Sequence, residues 1–343
     1  MTKDIKAMTL QEIQDVLTAA GFEKYRAQQV YEWIYKKKAQ STDDFKNIPA
    51  KVREYLEANY DFFLPEIIKQ QESEIDGTKK LLLQLDDDTK IETVILNDED
   101  RYTACISSQA GCGCGCAFCA TATLGLKRDL TAGEIVGQFL RDEIEAAHLL
   151  DNVVFMGMGE PLLNTQNVFK AIKLISDPKG RGFSQKRITV STVGIIPGIE
   201  AMIEEGLKVN LAVSLITADT ALRSKLVPME KTYPIKDVIK AAKRYCAKSE
   251  TRLTFEYVLM EGVNDSAQDA EMLVELIRGI DCRVNLIPYN KVSGKKYSSG
   301  QREKAISFQK ILKGYRIKAL IRKEKGADID AACGQLAAKE DKK

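Results

Sequence analysis

The chain has 343 residues, of which 44% are hydrophobic and 29% charged, which excludes a disordered polymer. That length suits about two domains, or one large α/β domain with additions. A net charge of +2 excludes a uniformly basic nucleic-acid coat but not a local basic patch, and the single histidine, His148, argues against multi-histidine metal sites and Ser-His-Asp chemistry.

Residues 1–62 read as a small helical domain. Apolar residues recur at helical spacing through Leu10–Leu17, and Gly21-Phe22 breaks the pattern. A second helix is expected over 25–38, with Tyr25, Val30, Trp33 and Ile34 on one side, and a third over 49–58. Lys36-Lys37-Lys38 forms a basic tip, which a solvated helix end explains as well as an RNA contact does. Residues 63–98 change to β character. Two apolar runs, 80–85 and 91–96, flank the turn Asp86-Asp87-Asp88 and predict a hairpin.

From about 99 to 336, strand-like and helix-like segments alternate. Strands are expected at 102–108, 152–157, 187–192, 208–215, 253–260, 282–288 and 317–322. Helices are expected between them at 131–147, 164–176, 197–205, 236–247, 266–279 and 301–314. Alternation of this kind predicts parallel βαβ units in an α/β fold, either an incomplete barrel or an open doubly wound sheet. Residues 337–343 read as a charged, frayed tail. His148 is expected on the surface or at a helix edge.

Five of the eight cysteines lie within 105–119. The chain opens MTKDIKAM, without an apolar signal segment, and its longest uncharged run, 102–126, is rich in Gly, Ser, Cys and Thr rather than hydrocarbon-like. A disulfide scaffold or a membrane span is therefore not expected. A reducing cytoplasm is, with the clustered cysteines serving metal or redox chemistry. Cys112, Cys116 and Cys119 form C-x3-C-x2-C in a glycine-rich loop after a strand. Three thiolates can hold three irons of a 4Fe–4S cluster and leave the fourth open to a ligand. A zinc site using Cys112, Cys114, Cys116 and Cys119 is the alternative.

That spacing resembles the radical S-adenosylmethionine (SAM) enzymes, in which SAM chelates the open iron. Gly157-Met158-Gly159-Glu160 ends the next strand, where glycine admits a close approach and a carboxylate can take an amino group. Ser191, Ser214 and Asn290 end three further strands, so polar groups gather at one end of the sheet. Cys333 lies in a Gly- and Ala-rich stretch read as mobile and accessible, and Arg322-Lys323-Glu324-Lys325 just before it brings cations that favour a thiolate.

Over nearly its full length the chain resembles the RlmN family, radical SAM enzymes that methylate carbon 2 of an adenosine in 23S rRNA. The resemblance rests on Ile91–Val94, Cys105–Cys112, the cluster motif, GMGEPLLN at 157–164, STVGIIPGI at 191–199, Leu222–Pro228, Gly262–Asp265 and DIDAACGQL at 328–336. Pro161 argues against the pattern of the related Cfr enzymes, which methylate carbon 8; Cfr-like carbon-8 methylation and a catalytically impaired iron–sulfur RNA-binding protein are the alternative readings. The resemblance implies a helical N-terminal domain, a short β extension and a partial (β/α)6 barrel. By position it makes Cys112, Cys116 and Cys119 the cluster ligands, and Gly159, Glu160, Ser191, Ser214, Leu215, Ile216 and Asn290 the SAM contacts. Cys333 becomes the methyl-carrying cysteine, Cys105 its disulfide partner and Glu92 a proton acceptor. It further implies one 4Fe–4S cluster, two SAM per turnover, 23S rRNA and tRNA as substrates, a flavodoxin or ferredoxin as electron donor, and a monomer. Basic residues at 36–38, 291–296 and 316–325 are the candidate RNA contacts. The chain departs from the family pattern at Ile216, where the family has histidine, at Ala122, where it has glycine, and at the extra Cys114.

Overall fold

The computed structural model describes residues 3–99 and 101–338. The predicted tail from 339 onward lies outside the described residues. The N-terminal part holds α1 (Leu10–Ala19), α2 (Tyr25–Tyr35) and α3 (Ala50–Asn59), bracketed by a short parallel pair, β1 (Lys3–Asp4) and β2 (Tyr60–Asp61). A capping box starts α1: Thr9 Oγ1 accepts the Glu12 N–H at 3.1 Å, and Glu12 Oε2 accepts the Thr9 N–H at 2.7 Å. Helix α2 ends three residues earlier than expected, because the chain turns left-handed at Lys38 (φ +55°). The lysines of the tip already have partners: Lys36 pairs with Glu32, Lys37 sits 3.9 Å from the Trp33 ring centroid, and Lys38 reaches the buried Glu143 at 3.5 Å. The solvated-end reading therefore fits the tip better than a free RNA-contact surface does.

One ten-stranded sheet organises the rest, in the order β14-β13-β12-β11-β10-β9-β6-β5-β4-β3. Its antiparallel edge comprises β3 (Glu66–Glu72), β4 (Lys79–Gln84) and β5 (Lys90–Asp98), which pairs antiparallel with β6 (Arg101–Cys105). The β extension is thus continuous with the main sheet. Strand β3 was not expected, because EIIKQQE at the sheet margin is mostly polar. The chain then forms the hairpin strands β7 (Gln109–Gly111) and β8 (Leu126–Asp129), α4 (Ala132–Glu145), β9 (Asn152–Phe155), α5 (Thr165–Ser176), β10 (Ile188–Thr192) and α6 (Ile196–Glu204). It continues through β11 (Asn210–Ser214), α7 (Thr220–Leu226), α8 (Ile235–Ser249), β12 (Leu253–Leu259), α9 (Ala267–Ile277), β13 (Cys282–Pro288), α10 (Arg302–Gly314) and β14 (Lys318–Ile321).

From β6 through β9 to β14 every pairing is parallel, and each strand lies beside the next in sequence. A doubly wound sheet would reverse its strand order at a switch point. A monotonic order with right-handed crossovers puts the helices on one face and curls the sheet around the other. The open question from the sequence therefore resolves to an incomplete barrel. It stays open because the free edge of β6 is taken by β5. Leu211, Ala212 and Val213 on β11 are fully buried, as a strand covered on both faces requires. The N-terminal helices share this core and are tied to the barrel by Tyr31 Oη donating to Asp177 at 3.1 Å, while Tyr35 Oη donating to Lys6 O at 2.7 Å braces the N-terminal part itself. His148 is exposed and stacks on Tyr102.

Candidate active site

The C-terminal ends of the parallel strands surround a cleft of about 1060 Å³. Ten of the thirteen predicted site residues line it: Cys112, Cys116, Cys119, Gly159, Glu160, Ser191, Ser214, Ile216, Asn290 and Cys333. Cys105 lines an adjoining cavity that shares Met156, Asn290, Arg322 and Cys333 with the cleft.

The cysteine loop is pinched at its neck by β7 and β8. Gly111 has φ +79°, and a Cβ there would stand 1.9 Å from Gly125 O, so only glycine lets the two arms meet. Cys112 N–H closes the neck onto Gly125 O at 2.9 Å. This hairpin escaped the sequence reading because β7 is three residues long and carries no alternation. The loop docks on α7 through Ala117 N–H to Leu226 O at 2.9 Å.

Burial and the neighbouring sulfurs push the Cys116 and Cys119 thiols up. Three thiols gathered in a buried cavity are held poorly as thiolates unless a cation joins them, so the donor set fits a metal cluster. Cys114 is buried beside them and donates a hydrogen bond to Cys112, which lowers the Cys112 thiol.

Gly159 (φ +100°) lets β9 turn against the exit of β6. A Cβ there would lie 2.7 Å from Gln109 N. The turn buries Glu160, whose Oε1 accepts the Leu162 N–H at 3.1 Å and whose Oε2 accepts the Val193 N–H at 2.9 Å. Burial outweighs these bonds and pushes the carboxyl up to about 7. The Ser191 and Ser214 hydroxyls face each other at 3.5 Å across neighbouring strand ends.

Ile216 is buried with φ +67°, a left-handed conformation that is strained for a β-branched residue. Asn264 Nδ2 holds its carbonyl at 2.7 Å and Glu256 O accepts its N–H at 3.3 Å, so the surroundings dictate the backbone. Histidine tolerates that region better than isoleucine does. The buried Asn264 also ties Val258 O and Met260 N, which gives the motif 262–265 its physical role.

The other two predicted site residues stand outside the lining of the cleft. Leu215 does not line the cleft; its backbone is bound instead to Glu256 O and by Arg223. Glu92 is likewise outside the lining. Its Oε2 accepts the N–H groups of Ala337 and Ala338 at 2.7 and 3.0 Å, and Lys80 lies 3.6 Å away, so it fastens the C-terminal segment. That segment is not the loose loop expected from its small residues. Gly334 O accepts from Ala120, Leu336 O from Thr121 Oγ1, and Cys333 O from Asn290 Nδ2. Cys333 itself is exposed to the cleft, 3.7 Å from Arg322 Nη1.

Sequence reasoning missed two side chains here. Glu256 on β12 lines the cleft with one carboxylate oxygen unpartnered. Arg223, fully buried, donates to Leu215 O, Val193 O and Ser214 O and pairs with Glu230. Neither has a signature of spacing.

A family model described as the radical SAM superfamily matches residues 106–277, and one described as the ribosomal RNA large subunit methyltransferase N-terminal domain matches residues 3–61. A radical SAM methyltransferase structure from Sphaerobacter thermophilus superposes with a TM-score of 0.94 at 40% identity, covering 98% of this chain and all of that one. Fold and site together define a radical SAM enzyme, a class that works with a 4Fe–4S cluster and SAM. A probable dual-specificity RNA methyltransferase RlmN of Thermotoga maritima is 43% identical over 338 residues, 98% of each chain. The dual-specificity RNA methyltransferase RlmN of Syntrophus aciditrophicus is 41% identical over 98% of this chain and 97% of its own. The chain belongs to the RlmN family. No helix among the described residues is long and apolar enough to cross a membrane.

Proposed function

We propose that this protein methylates carbon 2 of an adenosine in 23S rRNA, with tRNA as a second substrate, through a methyl group carried on Cys333. The observation that carries the reading is that Cys333 lines one cleft with the three cysteines of the loop and also lines the adjoining cavity with Cys105. Mere binding of RNA would need neither thiol.

Carbon 2 of adenine is electron-poor and does not attack an electrophilic methyl donor, so the polarity must be reversed. In this reading Cys112, Cys116 and Cys119 hold the cluster, which with SAM supplies a 5′-deoxyadenosyl radical. Cys333 takes its methyl from a first SAM by displacement. After hydrogen abstraction by that radical, the Cys333-borne carbon would add to the ring, which would then give up its odd electron to the cluster and its own proton to a base. Cys105 would then attack Cys333 Sγ: the S–S bond forms, the S–C bond breaks, and its electron pair stays with the departing carbon, which takes a proton to become the methyl group. Two SAM are consumed, and a reductant reopens the disulfide, which fits a cytoplasmic monomer served by a flavodoxin or ferredoxin. Glu92 can accept the ring proton only if Ala337 and Ala338 release its carboxylate. Exposed Lys291, Lys296 and Lys323 near the cleft suit a phosphate backbone.

Glu160 would take the SAM amino group, and its raised pKa sets a sign. The carboxyl is neutral below about pH 7 and ionised above it, so affinity for a ligand ammonium should rise with pH. Calorimetry of the cluster-loaded protein with S-adenosylhomocysteine is expected to show tighter binding at pH 8 than at pH 6. Glu160→Gln should weaken binding and flatten that dependence.

The function itself is tested by incubating reconstituted protein anaerobically with SAM, reductant and an rRNA fragment, then analysing nucleosides by mass spectrometry. The expected product is 2-methyladenosine. Production of 8-methyladenosine alone would overturn the regiochemistry, and no product despite an intact cluster would overturn the substrate.

A further inference from the structure

Glu256 on β12 and Asn285 on β13 are direct cross-strand partners, and Asn285 Nδ2 donates to Glu256 Oε1 at 2.9 Å. Glu256 Oε2 is buried without a hydrogen-bond partner. Arg322 follows β14, the next strand over, and its backbone N–H donates to Leu286 O at 2.9 Å. Its side chain lines both the main cleft and the cavity containing Cys105. Arg322 Nη1 lies 3.7 Å from Cys333 Sγ. The charges acting on the guanidinium are Cys333, then Glu256 and Cys105, and together they hold it above its ordinary range. Glu256 is itself pushed up by burial, with Arg322 opposing that shift.

We propose that Arg322 is the positioning residue of the Cys333 thiolate, and that Glu256 is the counter-charge that takes over the guanidinium once Cys333 has been methylated. The inference rests on the proposed role of Cys333 and follows from charge balance. In the displacement a thiolate and a sulfonium meet. The S–C bond to Cys333 forms, the methyl–sulfonium bond breaks with its pair left on the departing sulfur, and both products are neutral. Arg322 thereby loses its negative partner. Glu256, with one oxygen fixed by Asn285 and the other unpartnered, is the buried anion available on the same wall. The other charged groups at the thiol are less suited: Lys325 is tied to Asn97 O and Asp98, and Lys323 and Glu324 are exposed.

The test is alkylation of Cys333 in the cluster-loaded protein by iodoacetamide, read by peptide mass spectrometry. Arg322→Met should slow the reaction about tenfold at pH 7 and leave it unchanged at pH 10, because a neighbouring cation matters to the rate only where a thiol would otherwise be protonated. Arg322→Lys should recover part of the loss at pH 7. Glu256→Gln should speed the wild-type reaction at pH 7, because the thiolate no longer shares the guanidinium. Equal rates in wild type and Arg322→Met at pH 7 would overturn the proposal. So would an equal slowing at both pH values, which marks a merely structural role. A separate incubation with methyl-labelled SAM and no RNA asks whether Cys333 acquires label. Failure of labelling in the wild type would sink the methyl-carrier reading and leave the alkylation result standing on its own.

Discussion

Replacing Cys333 with alanine is expected to abolish RNA methylation, by at least about 10³-fold, while the visible absorption of the cluster stays that of the wild type. The side chain is exposed and meets Arg322; the loop is held by backbone groups of Cys333, Gly334 and Leu336, which alanine keeps. Stability should therefore change by less than about 0.5 kcal/mol. Anaerobic absorption spectra, iron content and nucleoside mass spectrometry of the same preparation check both halves. Loss of the cluster in Cys333→Ala would make the cysteine structural, and retained turnover would remove it from the chemistry. Cys105→Ala separates the roles further. It should still accept a methyl on Cys333 and stall with RNA attached, because no second sulfur remains to form the disulfide.

Most of the barrel was legible because its strands alternate with strongly periodic helices. The predicted helix 236–247, for example, is observed at Ile235–Ser249, where Val238, Ile239, Ala242 and Tyr245 form one buried face. What escaped was the structure made by backbone geometry rather than by pattern. The β7–β8 neck depends on a close approach at Gly111, and β3 is a polar strand stabilised by pairing with β4. The site divides in the same way. Cysteine spacing and strand-end polar residues could be read directly, since three thiols in a short glycine-rich loop have few other uses. Glu92 could not be placed, because its partners are backbone amides 245 and 246 residues away. Glu256 was hidden for a related reason: it sits mid-strand in LTFEYVL, and only the register of β12 against β13 sets it beside Asn285.

Arg223→Met is expected to destabilise the protein by about 3–5 kcal/mol, the range for removing one partner of a buried ion pair. Arg223 has no exposed surface and joins Glu230 to three carbonyls, those of Val193, Ser214 and Leu215. Those carbonyls lie where β10 and β11 deliver Ser191, Ser214 and Ile216 to the cleft. Methionine fills similar volume but leaves Glu230 buried and uncompensated and three acceptors unsatisfied. Glu230 also accepts the Ile235 N–H that opens α8, so deleting its side chain would add a second defect. Glu230→Gln keeps that acceptor and removes the charge. The double variant Arg223→Met/Glu230→Gln should accordingly be more stable than Arg223→Met alone, yet still bind S-adenosylhomocysteine weakly, because the strand ends remain unsupported. Denaturant unfolding and calorimetry on both variants separate the two effects. A single variant as stable as wild type, or a double variant no better than the single, would show that the charge pair does not govern this wall of the cleft.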